Sequence, residues 1–341
     1  MKILITGGSG FIGSNLIKYL INFNKYTICN IDALTRTSVP HALKKIKYDK
    51  YFFKKIDICN YNKLKKTILD FQPNIIMHLA AESHVDTSIV APRKFIDTNI
   101  IGTFNLLDIC NRFLIKRNNN KFKFLHISTD EVFGSLDKGS NSFTEKSNYL
   151  PNSPYSSSKA SSNHLVRAWV KTYNFPGIIT NCSNNYGPWQ HPEKLIPHTI
   201  ARCILKSPIP IYGIGKNQRD WIFVLDHVRA LFKLMHKGKV GETYNIGTNK
   251  TLTNIDLVNK ICKLIDKKNI DKNNFYHNSL ITFVQDRKGH DFKYSINSSK
   301  LCNSLNFKFE YDLKKGLDYT VNWYLDNSRW LIKSFNSKFN R

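Results

Sequence analysis

The chain has 341 residues, with 51 Lys and Arg against 25 Asp and Glu and a formal net charge of +26. Hydrophobic residues make up 41% and aromatics 13%, enough to bury a core and to exclude wholesale disorder. No apolar run approaches the roughly 20 residues that cross a bilayer, and the length suits one large α/β domain with insertions or two packed lobes.

The strand and helix pattern begins at once. Ile3 to Ile5 predicts a short strand, followed by a glycine turn and a helix with Leu16, Ile17, Leu20 and Ile21 on one face. Further strands are expected at Tyr26 to Ile31, Phe52 to Asp57 and Asn74 to Leu79. An amphipathic segment from Arg93 to Ile115 precedes a strand at Phe122 to Ser128, and a helix should run from near Tyr155 toward Tyr173, stopped by Pro176. This alternation predicts an α/β fold: a Rossmann-type doubly wound parallel sheet with a smaller, discontinuous substrate-binding lobe. After Asn181, five prolines punctuate short segments, and Gly241 to Gly247 holds a strand able to return to the main sheet. From Thr251 helices mix with short strands and end in an aromatic, basic tail; Asn118 to Asn120 reads as a loop tip. The expected domains are 1–180 plus 220–250 for a dinucleotide and 181–219 plus 251–341 for a nucleotide sugar.

Met1 to Ile21 is interrupted by glycines and lacks the basic start and cleavage site of a signal peptide. The seven cysteines are scattered without a Cys-x-x-Cys pair, so neither a disulfide framework nor a zinc ribbon is expected. We therefore expect a soluble protein of a reducing, cytoplasmic compartment, with no metal. Lysine occurs in small groups such as Lys44-Lys45 and Lys54-Lys55, not as a basic arm. That predicts a solvated basic surface whose charge can steer a diphosphate ligand; nucleic acid is not an expected partner.

Thr6-Gly7-Gly8-Ser9-Gly10-Phe11-Ile12-Gly13 lies between the first strand and the first helix. Gly7, Gly10 and Gly13 form a variant of the dinucleotide fingerprint, in which glycine lets the backbone approach a pyrophosphate and the helix N-terminus supplies amide donors. Asp32 follows Gly13 by 19 residues at the end of the second strand. A carboxylate there accepts from adenosine ribose hydroxyls and repels a 2′-phosphate, favouring NAD over NADP; by itself Asp32 also reads as a turn residue. Asp57-Ile58 and Leu79-Ala80-Ala81 follow the third and fourth strands, where such sheets bind ligands.

Tyr155 and Lys159 stand four residues apart on one face of a helix. An ammonium beside a phenol favours tyrosinate, although an isolated pair of this kind is usually a surface feature. Ser128-Thr129-Asp130-Glu131 ends the fifth strand. The Thr129 hydroxyl can orient an alcohol, and two adjacent carboxylates suit an elimination that needs one base and one acid; a capping Asp beside a solvated Glu is the bland alternative.

The ordered stretches Thr6 to Gly13, His78 to Val85, Ser128 to Gly134, Ser153 to Ala160, Thr180 to Pro188, Glu193 to Pro197, Arg219 to Trp221, Gly241 to Gly247 and Asp286 to Asp291 resemble one family over nearly the whole chain. That family is the nucleotide-sugar 4,6-dehydratases of the extended short-chain dehydrogenase/reductase superfamily. The resemblance implies a hydro-lyase that converts dTDP-glucose or UDP-glucose to the 4-keto-6-deoxyglucose nucleotide plus water, retains NAD throughout and feeds deoxysugar (rhamnose-type) biosynthesis. It implies that Tyr155, assisted by Lys159 and Thr129, deprotonates the C4 hydroxyl as hydride leaves C4. Glu131 would then take the C5 proton and Asp130 would protonate the departing C6 hydroxyl before hydride returns to C6.

The same resemblance extends the cofactor set to Phe11, Ile12, Ala33, Leu34, Thr35, Ser83, Thr98, Tyr155, Lys159 and Asn185. For substrate it points to Ser83, Thr129, Asn184, Glu193, Lys194, Leu195, Tyr212, Arg219, Asn254, Arg287 and His290. Arg219 and Arg287 suit a diphosphate, whereas Asn254 also reads as a helix cap and Glu193 and Lys194 as solvated. A homodimer is implied through helices near Asn99 to Asn111 and Tyr155 to Tyr173. Phe133 stands where the family often has tyrosine, Lys288 where proline is usual, and Arg36 to Pro40 also departs from the pattern. Two other readings stay in view. A nucleotide-sugar 4-epimerase shares the scaffold and the Tyr-Lys pair but has no need of Asp130-Glu131. A non-catalytic NAD- or polyanion-binding protein, suggested by the charge, has no need of any of these groups.

Overall fold

Short aliphatic runs bounded by Gly, Asn and Asp set the strands of the first half. In the computed structural model, which describes residues 1–114, 122–268, 275–287 and 289–337, these are β1 (Lys2–Thr6), α1 (Phe11–Ile21), β2 (Thr27–Asp32), β3 (Tyr51–Lys55), α2 (Tyr61–Phe71) and β4 (Ile75–His78). The Asn118 to Asn120 tip, Ile115, Lys288 and the end of the basic tail lie outside the described residues. Strand bounds differ from the expected ones by one or two residues, the usual uncertainty of strand and helix ends.

After α3 (Val85–Val90), the Arg93 to Ile115 segment is not one regular helix. It runs as α4 (Arg93–Phe95), a wider π-type stretch (Ile96–Ile101), α5 (Gly102–Ile109) and a second π-type stretch (Cys110–Leu114). The Thr103 hydroxyl donates to the Asn99 carbonyl at 2.6 Å, a side-chain bond that competes with the helix ladder at this point. β5 (Lys123–Thr129) leads to α6 (Pro154–Tyr173), which starts with a Ser153/Ser156 capping box and Pro154 and ends at left-handed Asn174. β6 (Gly177–Cys182) follows.

β7 (Asn184–Tyr186), α7 (Leu195–Ile204), β8 (Ile209–Tyr212) and β9 (Gln218–Phe223) open the second lobe; α8 (Val224–Lys237) and β10 (Thr243–Ile246) return to the first. β11 (Thr251–Thr253), α9 (Asn254–Lys267), β12 (Ile281–Val284), α10 (Ser299–Leu305), α11 (Leu313–Asp326) and α12 (Ser328–Asn336) complete the described elements. The main sheet has seven strands in the order β3-β2-β1-β4-β5-β6-β10, every neighbouring pair parallel. Alternation along β1 builds a core on each face: Ile3 and Ile5 pack with Leu16 and Leu20, while Leu4 packs with Leu64, Ile76 and Phe124. Smaller sheets, β11-β9-β7 and β12-β8, pack around a separate core of Ile196, Ile200, Leu257 and Leu317.

Two expected domain boundaries and the lobe assigned to one helix need correction. The one at 180/181 falls inside β6 and the one at 219/220 inside β9, and each strand pairs as a unit with a single sheet. The chain changes lobe after β6 and again at Val224. Leu301, Leu305 and Phe307 also belong to the first core with Leu16 and Val228, so α10 packs on the main sheet although it was expected in the second lobe.

Candidate active site

The sheet order reverses between β1 and β4, which opens a crevice at their carboxyl ends. Gly7 sits there at φ +70°, and a Cβ on it would lie 2.6 Å from the Ala80 nitrogen; a Cβ on Gly13 would lie 2.3 Å from the Gly7 oxygen. Only glycine fits such approaches. The Asp32 carboxylate accepts from the Ser9 N–H at 2.9 Å, the Leu34 N–H at 2.7 Å and the Ser38 hydroxyl at 3.0 Å. Asp32 is therefore a turn anchor that also lines a cleft of about 960 Å³. Gly10, Phe11, Ile12, Ala33, Thr35, Asp57 and Ile58 line the same cleft, as do Leu79 to Ala81, Ser83 and Thr98. Leu34, at φ +57°, belongs to the loop but not to the lining.

Behind the cleft runs a buried polar layer. Thr6 Oγ1 accepts from the Ala80 N–H and bonds His78 Nδ1 at 2.8 Å, and His78 Nε2 lies 2.9 Å from the Thr103 hydroxyl. Because that hydroxyl already donates to Asn99, the network assigns the His78 proton to Nε2. Burial, with the charge of Lys159, pushes His78 down to about 3 and keeps it neutral.

Thr129 caps the short turn Asp130–Phe133, so Asp130 and Glu131 leave the sheet directly into the cleft. The capping box of α6 brings Tyr155 into the first turn and Lys159 one turn later, both buried. Lys159 Nζ donates to the Ile127 carbonyl at 2.9 Å, and burial lowers its pKa to about 8. Tyr155 is pushed well above the ordinary phenol range, first by burial and then by Glu131, while the bond from Thr129 acts the other way. Burial and the carboxylates therefore outweigh the help expected of Lys159, whose ammonium is held by the Ile127 carbonyl.

Asp130 is raised well above the carboxylate range by burial, Glu131 and Asp220, and its Oδ2 is buried without a hydrogen-bond partner. A protonated carboxyl with a free oxygen is what a general acid requires. Glu131 is raised by burial too, but Arg287, Lys194 and Arg219 pull it back toward the ionised form. Adjacent carboxyls thus have their affinities for a proton separated by their surroundings.

Arg219 is buried, donates to the carbonyls of Gln218, Phe292 and Asp291, and stacks 4.4 Å over the Tyr294 ring. It is a fixed cation more than a free fork. Arg287 lies 3.7 Å from Asp86, which also takes the Tyr212 hydroxyl at 3.4 Å, and its Nε is buried without a partner. His290 bonds Asp286 at 2.6 Å within the same loop. Lys194, next to Leu195 at the start of α7, donates to the Ser83 carbonyl at 3.0 Å. Asn184, Asn185, Glu193 and Lys194 line the cleft, and Asn184 Oδ1 is buried without a partner. Tyr212, Arg219, Arg287, His290 and Leu195 are not among its lining residues. Nor is Asn254, which opens α9; the cap is Thr253, whose hydroxyl accepts from the Asp256 N–H.

The family model for GDP-mannose 4,6 dehydratase matches residues 4–320. The chain is 48% identical to the dTDP-glucose 4,6-dehydratase of Haemophilus influenzae, over 96% of this chain and 99% of that protein. The chain belongs to the dTDP-glucose 4,6-dehydratase family. A solved member from Bacillus anthracis, in complex with NAD, is similar at a TM-score of 0.85 and 42% identity, covering 97% of this chain and 98% of that one. The UDP-glucose 4-epimerase of Thermotoga maritima is nearly as close in fold, at a TM-score of 0.83 and 27% identity over 96% and 100% of the two chains. Fold similarity therefore does not separate dehydratase from epimerase; the sequence identity and the Asp130-Glu131 pair do.

For this 4,6-dehydratase chain, sequence reading passed over Arg36, His84, Asp86, His191 and Asp286. Arg36 and Glu193, like Asp86 and Arg287, meet from distant segments that no local spacing marks, whereas Asp286 stands four residues from His290 and His191 two from Glu193, spacings that the sequence does carry. Phe133 is buried, stacked on Phe143 at 5.1 Å and edge-on to Tyr149 at 5.3 Å, which gives a purely apolar ring a sufficient place.

Proposed function

We propose that this protein dehydrates dTDP-glucose, in preference to UDP-glucose, to the 4-keto-6-deoxyglucose nucleotide and water. The relatives named for dTDP-glucose support the nucleotide, and the split surroundings of Asp130 and Glu131 carry the chemistry. The glycine cradle at Gly7 and Gly13 and the carboxylate at the end of β2 fit NAD, with Gly10, Asp32, Thr98 and Asn185 among the residues that would hold it. NAD, when bound, supplies a positively charged ring that favours tyrosinate and a two-electron carrier that keeps the reaction redox-neutral.

Thr129 orients the sugar C4 hydroxyl toward Tyr155, which takes its proton, with the Lys159 ammonium held beneath by Ile127. A ketone at C4 acidifies the C5 proton, and Glu131, steadied as a carboxylate by three cations, removes it. Asp130, kept protonated, delivers its proton to the departing C6 hydroxyl. Arg287, whose Nε has no partner, is assigned to grip the diphosphate, and Arg219, held by three carbonyls, to act on it through its charge alone. An epimerase has no work for the last two carboxyl steps.

Incubation with each nucleotide-glucose and mass analysis of the products tests this reading. The expected product is roughly 18 Da lighter, one water, with no NADH released in proportion to it. An isomer of unchanged mass would establish the epimerase instead.

The sugar nucleotide is assigned to the lobe built on β7, β9 and α9, and the cofactor to the main sheet. We also assign a homodimer. Phe104 on the 93–114 tract and Tyr173 on α6 are exposed beside Trp169, an apolar face suited to a second copy. Sedimentation that shows a monomer at micromolar concentration would remove the dimer. Among the described residues no helix is long and apolar enough to cross a membrane, and the cysteines are unpaired, which supports a cytoplasmic setting.

A further inference from the structure

The loop after β2 carries Arg36, and the segment before α7 carries Glu193, 157 residues later. Arg36 donates to Glu193 Oε2 at 2.8 Å. Its own side chain is 50% exposed, whereas that of Glu193 is 1% exposed. Both line the cleft whose floor is the glycine turn, so the ion pair joins the cofactor lobe to the substrate segment across the opening. Each end is anchored independently. Asp32 holds the Arg36 loop through Leu34 and Ser38, and Val39 donates its N–H to the Ser9 carbonyl at 2.7 Å. Beside Glu193, Lys194 bonds the Ser83 carbonyl, and His191 and His84 lie 3.7 and 4.0 Å from the same carboxylate oxygen. Glu193 Oε1 is buried without a hydrogen-bond partner.

We propose that Arg36 and Glu193 form an ionic strap over the cofactor cleft, which must part for NAD to enter or leave. The inference rests on the assignment of this cleft to NAD. The geometry suits a strap because one partner is reachable by water and the other is not. Arg36 can swing outward by a rotamer change on the exposed side, while Lys194 and the two histidines remain around the Glu193 carboxylate. Opening therefore needs no unfolding, and salt should promote it by screening the exposed end. A reaction that must return its hydride to the same sugar benefits from a cofactor that leaves slowly.

The test is the rate of exchange of bound NAD against excess NADH, followed by cofactor fluorescence, together with the association rate on cofactor-stripped protein. In Arg36→Ala both rates should rise by about 5-fold, the scale of a half-exposed ion pair. Raising salt should speed release from the unaltered protein and leave the variant unchanged, and Arg36→Lys should fall between them. Release unchanged in Arg36→Ala overturns the strap, as does faster release with unchanged association, which marks an ordinary contact with the cofactor. If the unaltered protein takes up no NAD at all, the cofactor assignment falls first.

Discussion

At the glycine end of the cleft the surfaces offered to a ligand are main chain. Gly7, Gly10 and Gly13 bare the backbone, α1 presents its first amides, and one carboxylate, Asp32, ties the turn to the next loop. At the other end every group proposed to do chemistry is a side chain: Thr129 from β5, Asp130 and Glu131 from the turn after it, Tyr155 and Lys159 from α6, and cations from the second lobe. The two ends differ in how far their properties can be traced to neighbours in sequence. A glycine turn works because of its own backbone. A carboxyl becomes an acid or a base according to what later segments bury it against. The cofactor end should thus respond to changes in shape, and the chemical end to changes in charge.

The largest effect should come from Tyr155→Phe. It removes one oxygen from the chemical end and should lower turnover by about 10³- to 10⁴-fold. NAD content measured on the purified variant should stay near that of the unaltered protein. Loss of NAD together with turnover would show that the two ends are not separable in this way.

Asp130→Asn and Glu131→Gln should each cost about 10²- to 10³-fold in elimination, but in distinguishable ways. Asp130→Asn keeps the base at C5, so single-turnover absorbance should show enzyme-bound NADH building up while C5 deuterium still exchanges. Glu131→Gln should suppress that exchange. Equal exchange in the two variants would redraw the roles.

Gly13→Ala tests the opposite end. Its Cβ would come 2.3 Å from the Gly7 oxygen, so the turn must shift. We expect a stability loss of about 1–3 kcal/mol, the range for overpacking, and a matching loss of NAD. Calorimetry with and without NAD checks this, and a wild-type melting temperature with full NAD occupancy would refute the steric account.

The smallest effect is in pH. Lys159 titrates near 8, below its ordinary value, so its ammonium is present below that pH and lost above it. The rate of C4 oxidation should fall by up to about tenfold between pH 8 and 9, while NAD affinity, built largely on amides, should change far less. A flat rate across this range would mean that the bound state raises Lys159 out of reach.

The pattern of the first 180 residues was enough to expect the parallel sheet, the glycine turn and the Tyr155-Lys159 spacing, because strand alternation, turn chemistry and helix period are local properties. The ordered motifs carried the family as well. Tertiary structure decided what no spacing encodes. It placed α10 on the main sheet, kept β9 whole in the second lobe and widened the 93–114 tract around Asn99. It also buried Tyr155 beside Glu131, which outweighs the help expected of Lys159. Arg36 met Glu193 only because the lobes close on one another. Burial and distant charge set these outcomes, and both are sums over residues that become neighbours only when the chain has folded.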